Sequence, residues 1–227
     1  MFGGSYSQTG TITDARDGKV YKTVVIGTQT WMAENLIVST FRNGDTIPEA
    51  KTDEEWTKAY HKRTPAWCYF NNDSTNLKTQ GKLYNYHAII DSRGFAPIGW
   101  HIPDDKEWQD LINYLGGENY ATHKMKSTNG WAPQGYSEEY RKKLMQLGIE
   151  IRNKDGNGNN SSGFNAVPCG WRDVYGNFFF LQNVTWWSKS DIINTNLAYY
   201  WSFKSDNRID KFNYAKGRGF SIRCIKD

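Results

Sequence analysis

Four carboxylates fall close together between residues 104 and 110 of this 227-residue chain. Asp104, Asp105, Glu107 and Asp110 could form a general acid/base pair or bind a metal. An acidic N-cap followed three residues later by a glutamate is also the pattern of a helix capping box, and carboxylates stabilise the first turn of a helix. The spacing therefore favours a helix start over a catalytic site.

The sequence DGNGN at 155–159 imitates the beginning of a calcium-binding loop. An EF-hand loop needs glycine at its sixth position and a bidentate glutamate at its twelfth. Counting from Asp155, those positions hold Asn160 and Ala166. The segment is interpreted as a disordered turn within a polar loop at 153–163. We predict no metal site, and opportunistic binding of a cation by this loop is left open.

The other reactive side chains follow no recognised catalytic pattern. The sequence contains no metal-binding histidine pair and no nucleophile, phosphate-binding or dinucleotide-binding motif. The apolar run around Cys68 is typical of an inert buried thiol. The cysteines allow either three reduced thiols or one disulfide and one free thiol. We therefore predict no catalytic residue and no cofactor. The histidines are His61, His87, His101 and His123, and the cysteines are Cys68, Cys169 and Cys224.

Aromatic side chains are the remaining candidates for function. The chain has 10 Trp, 14 Tyr and 11 Phe, so rings must build much of the core. Between residues 204 and 214 the rings are mixed irregularly with charged and amide groups, as in many binding surfaces. Alternate residues of a strand at 197–204 must face the core, so part of the predicted ligand-binding set will be buried. The set comprises Tyr200, Trp201, Phe203, Lys204, Asp206, Asn207, Arg208, Asp210, Phe212, Asn213 and Tyr214.

Composition narrows the class of protein. A hydrophobic fraction of 38% and a charged fraction of 23% indicate a globular fold. The net charge of +4 comes from scattered basic residues, so we expect no nucleic-acid partner. We also expect no membrane span. The first residues do not form a signal peptide, so export would need a signal outside this chain or another route, for instance a virion.

Turn and capping signals predict the elements that hold these residues. Asp17 and Gly18 predict a hairpin turn, and Thr52 with Glu55 forms a second capping box. The similar segments 187–191 and 201–206 suggest two paired strands. Residues 1–10 are predicted to be a flexible leader, and residues 11–227 a single domain. Helices are expected from Thr52, at 83–90, at 104–115 and at 138–147. Strands are expected at both sides of Asp17, at 31–36, 164–168, 170–173, 177–181, 185–189, 197–204 and 219–225.

Helices in the first two thirds and strands at both ends predict an α+β domain whose terminal strands pair. Several sequence motifs occur in a fixed order along nearly the whole chain, and together they point to a family. They are VIGTQTWMAENL at 25–36, PAWCYFNND at 65–73, GKLYNY at 81–86, APIGWHIP at 96–103 with EW at 107–108, SGFNAVP at 162–168, WWS at 186–188 and GFSIRCIKD at 219–227. This series resembles the Fibrobacter succinogenes major paralogous domain.

The resemblance implies a C-type lectin-like fold, related in shape to formylglycine-generating enzymes, with a small twisted antiparallel sheet. Members are mostly bacterial surface proteins. Some related chains are variable proteins of diversity-generating retroelements, and the abundance of Asn, Tyr, Ser and Asp at 194–214 is typical of such diversification. An AT-rich genome would produce a similar bias. The active-site cysteine pair of the enzyme relatives is missing. Cys68 and Cys224, both in family-like motifs, are expected to lie close together.

Together these observations predict a non-enzymatic recognition protein. Its partner would be a protein or a glycan bound through the C-terminal aromatic and polar surface, at a cell surface, in a secreted form or on a virion. The alternative is a carbohydrate-active enzyme or carbohydrate-binding domain, suggested by the Trp content. An enzyme of that kind would require two carboxylates about 5–10 Å apart in a cleft beside exposed Trp rings.

Overall fold

The computed structural model describes residues 8–131, 146, 156–179 and 183–227. Helices and several small antiparallel sheets make up the described residues, so the protein is of the predicted α+β class. The strands are β1 (Thr9–Thr13), β2 (Val20–Ile26), β3 (Gln29–Met32), β4 (Trp67–Cys68), β5 (Leu83–Tyr84), β6 (Trp100–His101), β7 (Trp171–Arg172), β8 (Phe178–Phe179), β9 (Asn183–Asp191), β10 (Leu197–Lys204), β11 (Ile209–Ala215) and β12 (Ile225–Lys226). The α-helices are α1 (Asp53–Lys62), α2 (Leu77–Gln80), α3 (Tyr86–Ile89), α4 (Asp105–Tyr114) and α5 (Glu118–Met125).

The largest sheet joins the two ends of the described chain. Its strand order is β1-β2-β3-β12-β6. Ile225 of β12 pairs with Trp31 on one side and with His101 on the other. The predicted pairing of terminal strands is therefore confirmed. The predicted hairpin at Asp17-Gly18 is confirmed too, because β1 and β2 pair up to Thr13 and Val20. Thr9 and Gly10, which the predicted leader included, belong to β1, and residues 1–7 of that leader lie outside the described residues.

A second sheet, with strand order β11-β10-β9, forms most of the C-terminal region. Trp201 of β10 lies opposite Trp186 of β9, so the two similar sequence segments are indeed paired strands. The irregular mixture at 204–214 concealed a regular strand, because β11 pairs with β10 from Ile209 to Ala215. The side chains of β11 are half-buried or exposed on both faces of the sheet. The sequence therefore lacks the alternation of apolar and polar residues that predicts a strand.

Both capping boxes start helices, as predicted. Thr52 and Glu55 cap α1, while Asp104 and Glu107 cap α4 with reciprocal hydrogen bonds. Three of the four carboxylates near residue 104 thus belong to a helix start, and Asp110 lies in the next turn, where it pairs with Lys106. The predicted helix at 83–90 is wrong in its first half, which is strand β5; only α3 is helical. The predicted helix at 138–147 falls outside the described residues except for position 146.

Other differences from the predicted elements follow from tertiary packing. Strand β3 ends at Met32, four residues earlier than expected. Residues 164–168 and most of 219–225 form no strand and make only isolated bridges, and Asn165 adopts a left-handed conformation with φ of 56°. Helix α5 was not predicted. The described part of the polar loop is ordered against it: the Gly158, Asn159 and Asn160 amides donate to carbonyls in and just after α5. A disordered turn is therefore the wrong interpretation there.

The core is built largely from aromatic rings. Nine of the ten Trp side chains are buried, and Trp171 is half-buried. Trp108 of α4 contacts Trp31 at 4.8 Å and stacks on Trp186 at 5.3 Å between ring centroids. Such offset contacts add to the free energy gained from burying the rings. The Trp surplus that suggested carbohydrate binding is thus accounted for by the core.

All three cysteines are free and buried. Cys68 packs in a small cluster with Trp56 and Phe70, whereas Cys224 belongs to a different and larger cluster. A disulfide between Cys68 and Cys224 is therefore absent, contrary to the expected proximity. Burial raises the pKa of each thiol to about 12, as expected for structural thiols. Within the described ranges, no helix has the length and apolarity needed to cross a membrane.

Candidate functional site

Strands β10 and β11 place alternate side chains on opposite faces of the C-terminal sheet. Tyr200 lies opposite Phe212, and Trp201 lies opposite Lys211. Side chains directly opposite each other share a face of the sheet. Residues 200, 212 and 214 therefore share one face, and residues 201, 203 and 211 share the other.

The face that carries Trp201 and Phe203 is part of the core. These side chains are 2% and 0% exposed. Phe203 packs edge-on against Trp186, with 5.1 Å between ring centroids, and the indole N–H of Trp201 donates to Asp105 Oδ1 at 3.0 Å. A ligand cannot reach either ring, so both leave the predicted ligand-binding set.

The opposite face is partly open to solvent. Phe212 is 61% exposed and Tyr214 is 40% exposed, whereas Tyr200 is half-buried. The Tyr200 ring lies 6.3 Å from Tyr214 and 5.1 Å from the buried Phe220. Tyr200 thus anchors the exposed rings of the edge strand to the core. We call this surface the hairpin face; it comprises Trp171, Phe179, Tyr200, Phe212, Tyr214 and Arg218.

Arg218 joins the hairpin to a second pair of strands. Its guanidinium carbon lies 3.2 Å from the centroid of Tyr214 and 4.4 Å from that of Trp171. Trp171 of β7 stacks on Phe179 of β8 at 4.3 Å with an interplanar angle of 14°. Burial of the guanidinium lowers the pKa of Arg218, and its Nε has no hydrogen-bond partner within the described part of the chain.

Three members of the hairpin face were not predicted from the sequence. Trp171 and Phe179 come from short strands that precede the C-terminal sheet, and Arg218 follows β11. Nothing in their local patterns distinguishes them from core residues. The sequence did contain one signal for Trp171 and Phe179. They lie in two neighbouring short aromatic segments, 170–173 and 177–181, and a tight turn between these segments would stack their rings.

The polar members of the predicted set serve different purposes. Lys204 and Asp210 form an ion pair on the side of the hairpin face. Asp206, Asn207 and Arg208 make the turn between β10 and β11: the Asp206 carboxylate accepts from Arg208 Nε at 2.6 Å, and Asn207 adopts a left-handed conformation with φ of 66°. Asn213 lies opposite Tyr199, on the other face from Phe212.

The turn is also tied to the rest of the protein. Thr122 of α5 donates to the Asn207 carbonyl at 2.8 Å, and Lys126 Nζ donates to the carbonyls of Lys204 and Ser205. Backbone groups held in this way give the hairpin a fixed geometry. A fixed hairpin with solvent-exposed rings at its edge can bind by surface complementarity without large ordering costs.

Metal chemistry has no support in this region. Nowhere in residues 8–131, 156–179 and 183–227 do three or more His, Cys, Asp or Glu side chains gather as ligands of an ion. The hairpin face instead offers rings, one guanidinium and one ion pair. This arrangement can desolvate an apolar group and pair with a polar one, which are the two requirements of an interface hot spot.

The fold and the site define an α+β protein with an exposed aromatic face on a C-terminal hairpin. The chain belongs to the Fibrobacter succinogenes major domain family, whose model matches residues 24–226. The family resemblance of the sequence motifs is thereby confirmed. Neither a curated protein nor a solved structure matches the chain.

Proposed function

We propose that this protein is a non-enzymatic recognition protein that binds a macromolecular ligand through the hairpin face. The observation that carries the proposal is the concentration of partly exposed rings around Arg218. Phe212 and Tyr214 expose 61% and 40% of their surfaces on an edge strand, where no third strand covers them among the described residues. Tyr, Phe and Arg are enriched in protein interfaces. The rings give large contact area with few flexible bonds, and the guanidinium offers five hydrogen-bond donors.

A protein ligand is favoured over a glycan. Sugar rings bind best on a flat, open aromatic face, whereas the guanidinium of Arg218 covers one face of the Tyr214 ring. Phe212, Tyr214 and Arg218 together resemble a hot spot with a polar rim, in which Lys204 and Asp210 would contribute orientation. A glycan ligand remains the alternative partner, and the experiment below separates the two.

The finer fold assignment forms part of the proposal. We propose a C-type lectin-like fold, supported by the pairing of β12 with β3 and by a separate C-terminal sheet. We further propose that the hairpin is a variable surface diversified by a retroelement. Composition at 194–214 supports this, as does the contrast with the buried segment 219–225 that follows. The protein would act at a cell surface, in a secreted form or on a virion.

Comparison of sibling genes tests the diversification. Substitutions should concentrate at exposed positions such as Phe212 and Tyr214, and should spare Trp201 and Phe203. Uniform drift over the whole chain would refute this part of the proposal without affecting recognition itself.

Binding assays with matched variants test recognition. Immobilised wild-type protein is screened against an array of glycans and a panel of purified bacterial surface proteins. We expect the double substitution Phe212→Ala and Tyr214→Ala to abolish binding, and Tyr120→Ala to leave it intact. Tyr120 is the matched control, since it is a 63% exposed ring on α5 outside the hairpin face. Equal binding by all three proteins would refute the proposal.

The alternative of a carbohydrate-active enzyme has less support. A glycosidase needs two carboxylates about 5–10 Å apart across a cleft. The cleft of about 500 Å³ that Arg223 lines has a single carboxylate among the described residues, Glu34. A more open groove of about 560 Å³ along α1 has Asp53 and Glu54, but no Trp ring of the described chain lines it. Catalytic turnover of an oligosaccharide by the purified chain would establish this alternative.

A further inference from the structure

A second candidate site lies in a cleft that shares no residue with the hairpin face. The cleft has a volume of about 500 Å³ and is formed by six separate segments of the chain. They contribute Asn35, Gln80, Asn129, Asn165 and Arg223, among others. This volume is typical of sites for small molecules, and side chains that converge from distant segments suggest a preformed site.

Arg223 lies at the floor of the cleft and is only 1% exposed. Its Nε and Nη2 donate to Asn35 Oδ1 at 3.1 and 2.9 Å, and its Nη1 donates to the carbonyls of Met32 and Phe164 at 3.2 and 2.7 Å. These four bonds use four of the five guanidinium protons. The second proton of Nη2 has no acceptor among the hydrogen bonds of the described residues.

All of these acceptors are neutral. No carboxylate within the described chain lies close enough to form an ion pair with Arg223. The faces of Phe164 and Trp186 offset part of the buried charge, at 4.5 and 5.7 Å from the guanidinium carbon. Glu34 acts on Arg223 only at longer range, so the buried cation has no directly bonded counter-ion in the described chain. Such a cation is costly, and a carboxylate is its preferred complement.

Gln80 adds a second requirement for the ligand. Its Oε1 atom is buried and has no hydrogen-bond partner within the described ranges. This acceptor needs a donor, which an ionised carboxylate cannot supply. The amides of Asn129 and Asn165 provide both donors and acceptors along the same cleft. Sulfate or chloride could therefore bind Arg223 but could not donate to Gln80, and inorganic anions in general are too small to fill the cleft.

We propose that the cleft binds a small hydroxylated carboxylate, of which sugar acids are the simplest class. The carboxylate would accept from the free Nη2 proton of Arg223. A hydroxyl group would donate to Gln80 Oε1, and the remaining hydroxyls would bond to the asparagine amides. Glu34 at the cleft, whose carboxylate already accepts from the Lys22 amide at 2.8 Å, would disfavour ligands with a second negative charge.

Calorimetric titration of the full chain tests the proposal. The probes are glucuronate, galacturonate and gluconate, with glucuronamide as a neutral match of glucuronate and acetate as a carboxylate without hydroxyls. We expect at least one sugar acid to bind about tenfold more tightly than glucuronamide, because a charge-assisted bond is lost in the amide. Acetate should bind more weakly still.

Gln80→Leu is the informative variant, because no hydrogen bond of its side-chain oxygen is lost in the free protein. It should weaken sugar-acid binding about fivefold and leave unfolding by urea unchanged. Phe212→Ala is the matched control and should leave sugar-acid binding unaltered. A negative result for the cleft can thus be told apart from a negative result for the hairpin face.

Three results would overturn the proposal. The first is absence of binding by all three sugar acids at about 10 mM. The second is equal affinity for glucuronate and glucuronamide, which would deny a role to Arg223. The third is full affinity in Gln80→Leu, which would show that the orphan acceptor does not contact the ligand.

Discussion

Truncation of Trp201 and of Phe212 separates the two faces of the C-terminal hairpin. Trp201 is 2% exposed, stacks near Trp108 at 6.3 Å between ring centroids, and donates to Asp105. Removing a buried aromatic ring costs about 3–5 kcal/mol, and the buried side of Asp105 also loses a donor. We expect Trp201→Ala to lose about 4 kcal/mol of unfolding free energy. Phe212 is 61% exposed, so Phe212→Ala should stay within about 0.5 kcal/mol of wild type.

Trp201→Phe separates the contribution of the ring contacts from that of the indole hydrogen bond. It keeps most of the ring contacts and removes the indole donor, so it should cost about 1–2 kcal/mol. Urea unfolding followed by far-ultraviolet circular dichroism measures all three variants without relying on tryptophan fluorescence. A shift of the midpoint at constant slope reports stability alone. A total stability of about 5–15 kcal/mol would leave Trp201→Ala folded but weakened.

The reasoning would be refuted by a reversed order. If Phe212→Ala cost as much as Trp201→Ala, Phe212 would have to be buried and the register between β10 and β11 would be incorrect. A loss below about 1 kcal/mol for Trp201→Ala would contradict its place in the core. The set of residues assigned to the hairpin face would then be wrong.

Further outcomes can be measured by similar means. Burial lowers the pKa of His101, but bonds to Asp227 at 2.6 Å and Glu107 at 2.8 Å raise it by more, so the folded-state pKa lies above the ordinary value of 6.5. Its stabilisation, about 1 kcal/mol or less for a partly exposed group, is therefore complete below about pH 6.5 and is lost as the pH rises through the folded-state pKa. The free energy of unfolding of His101→Gln should not show this loss with rising pH. If wild type and His101→Gln had the same pH dependence of stability, the role of the two ion pairs would be contradicted. A methyl group at Gly217 would lie 2.6 Å from Cγ of Tyr60, so Gly217→Ala should cost about 1–3 kcal/mol in urea unfolding; a neutral effect would show that the ring moves aside freely. The three buried thiols should react with a disulfide reagent only after unfolding, and rapid reaction in the native protein would show that the aromatic core opens.

Local signals predicted local structure well. The Asp17-Gly18 turn and both capping boxes form as expected, because each depends on backbone groups within a few residues. The helix expected at 83–90 failed in its first half because Tyr84 exchanges backbone hydrogen bonds with Phe220, far away in sequence. Strand β11 was missed because its side chains lie at an edge, where burial imposes no alternation.

The candidate site was predicted in part. Phe212 and Tyr214 are exposed rings, as the mixed composition of 204–214 indicated. Trp201 and Phe203 belong to the opposite face, since a period of two divides any strand between core and surface. Arg218, Trp171 and Phe179 escaped prediction because only folding brings their segments together.

The sequence by itself determined the family, the aromatic character of the core and the starts of α1 and α4. Family motifs and capping boxes depend on residues that are close together in the sequence, and a large number of aromatic side chains must be buried in a core. Only the tertiary structure decided which rings remain exposed and which buried cations lack an ion pair with a carboxylate among the described residues. Those properties depend on contacts between distant segments: Tyr214 and Trp171 enclose Arg218, and Asn35 holds Arg223 at the floor of the cleft.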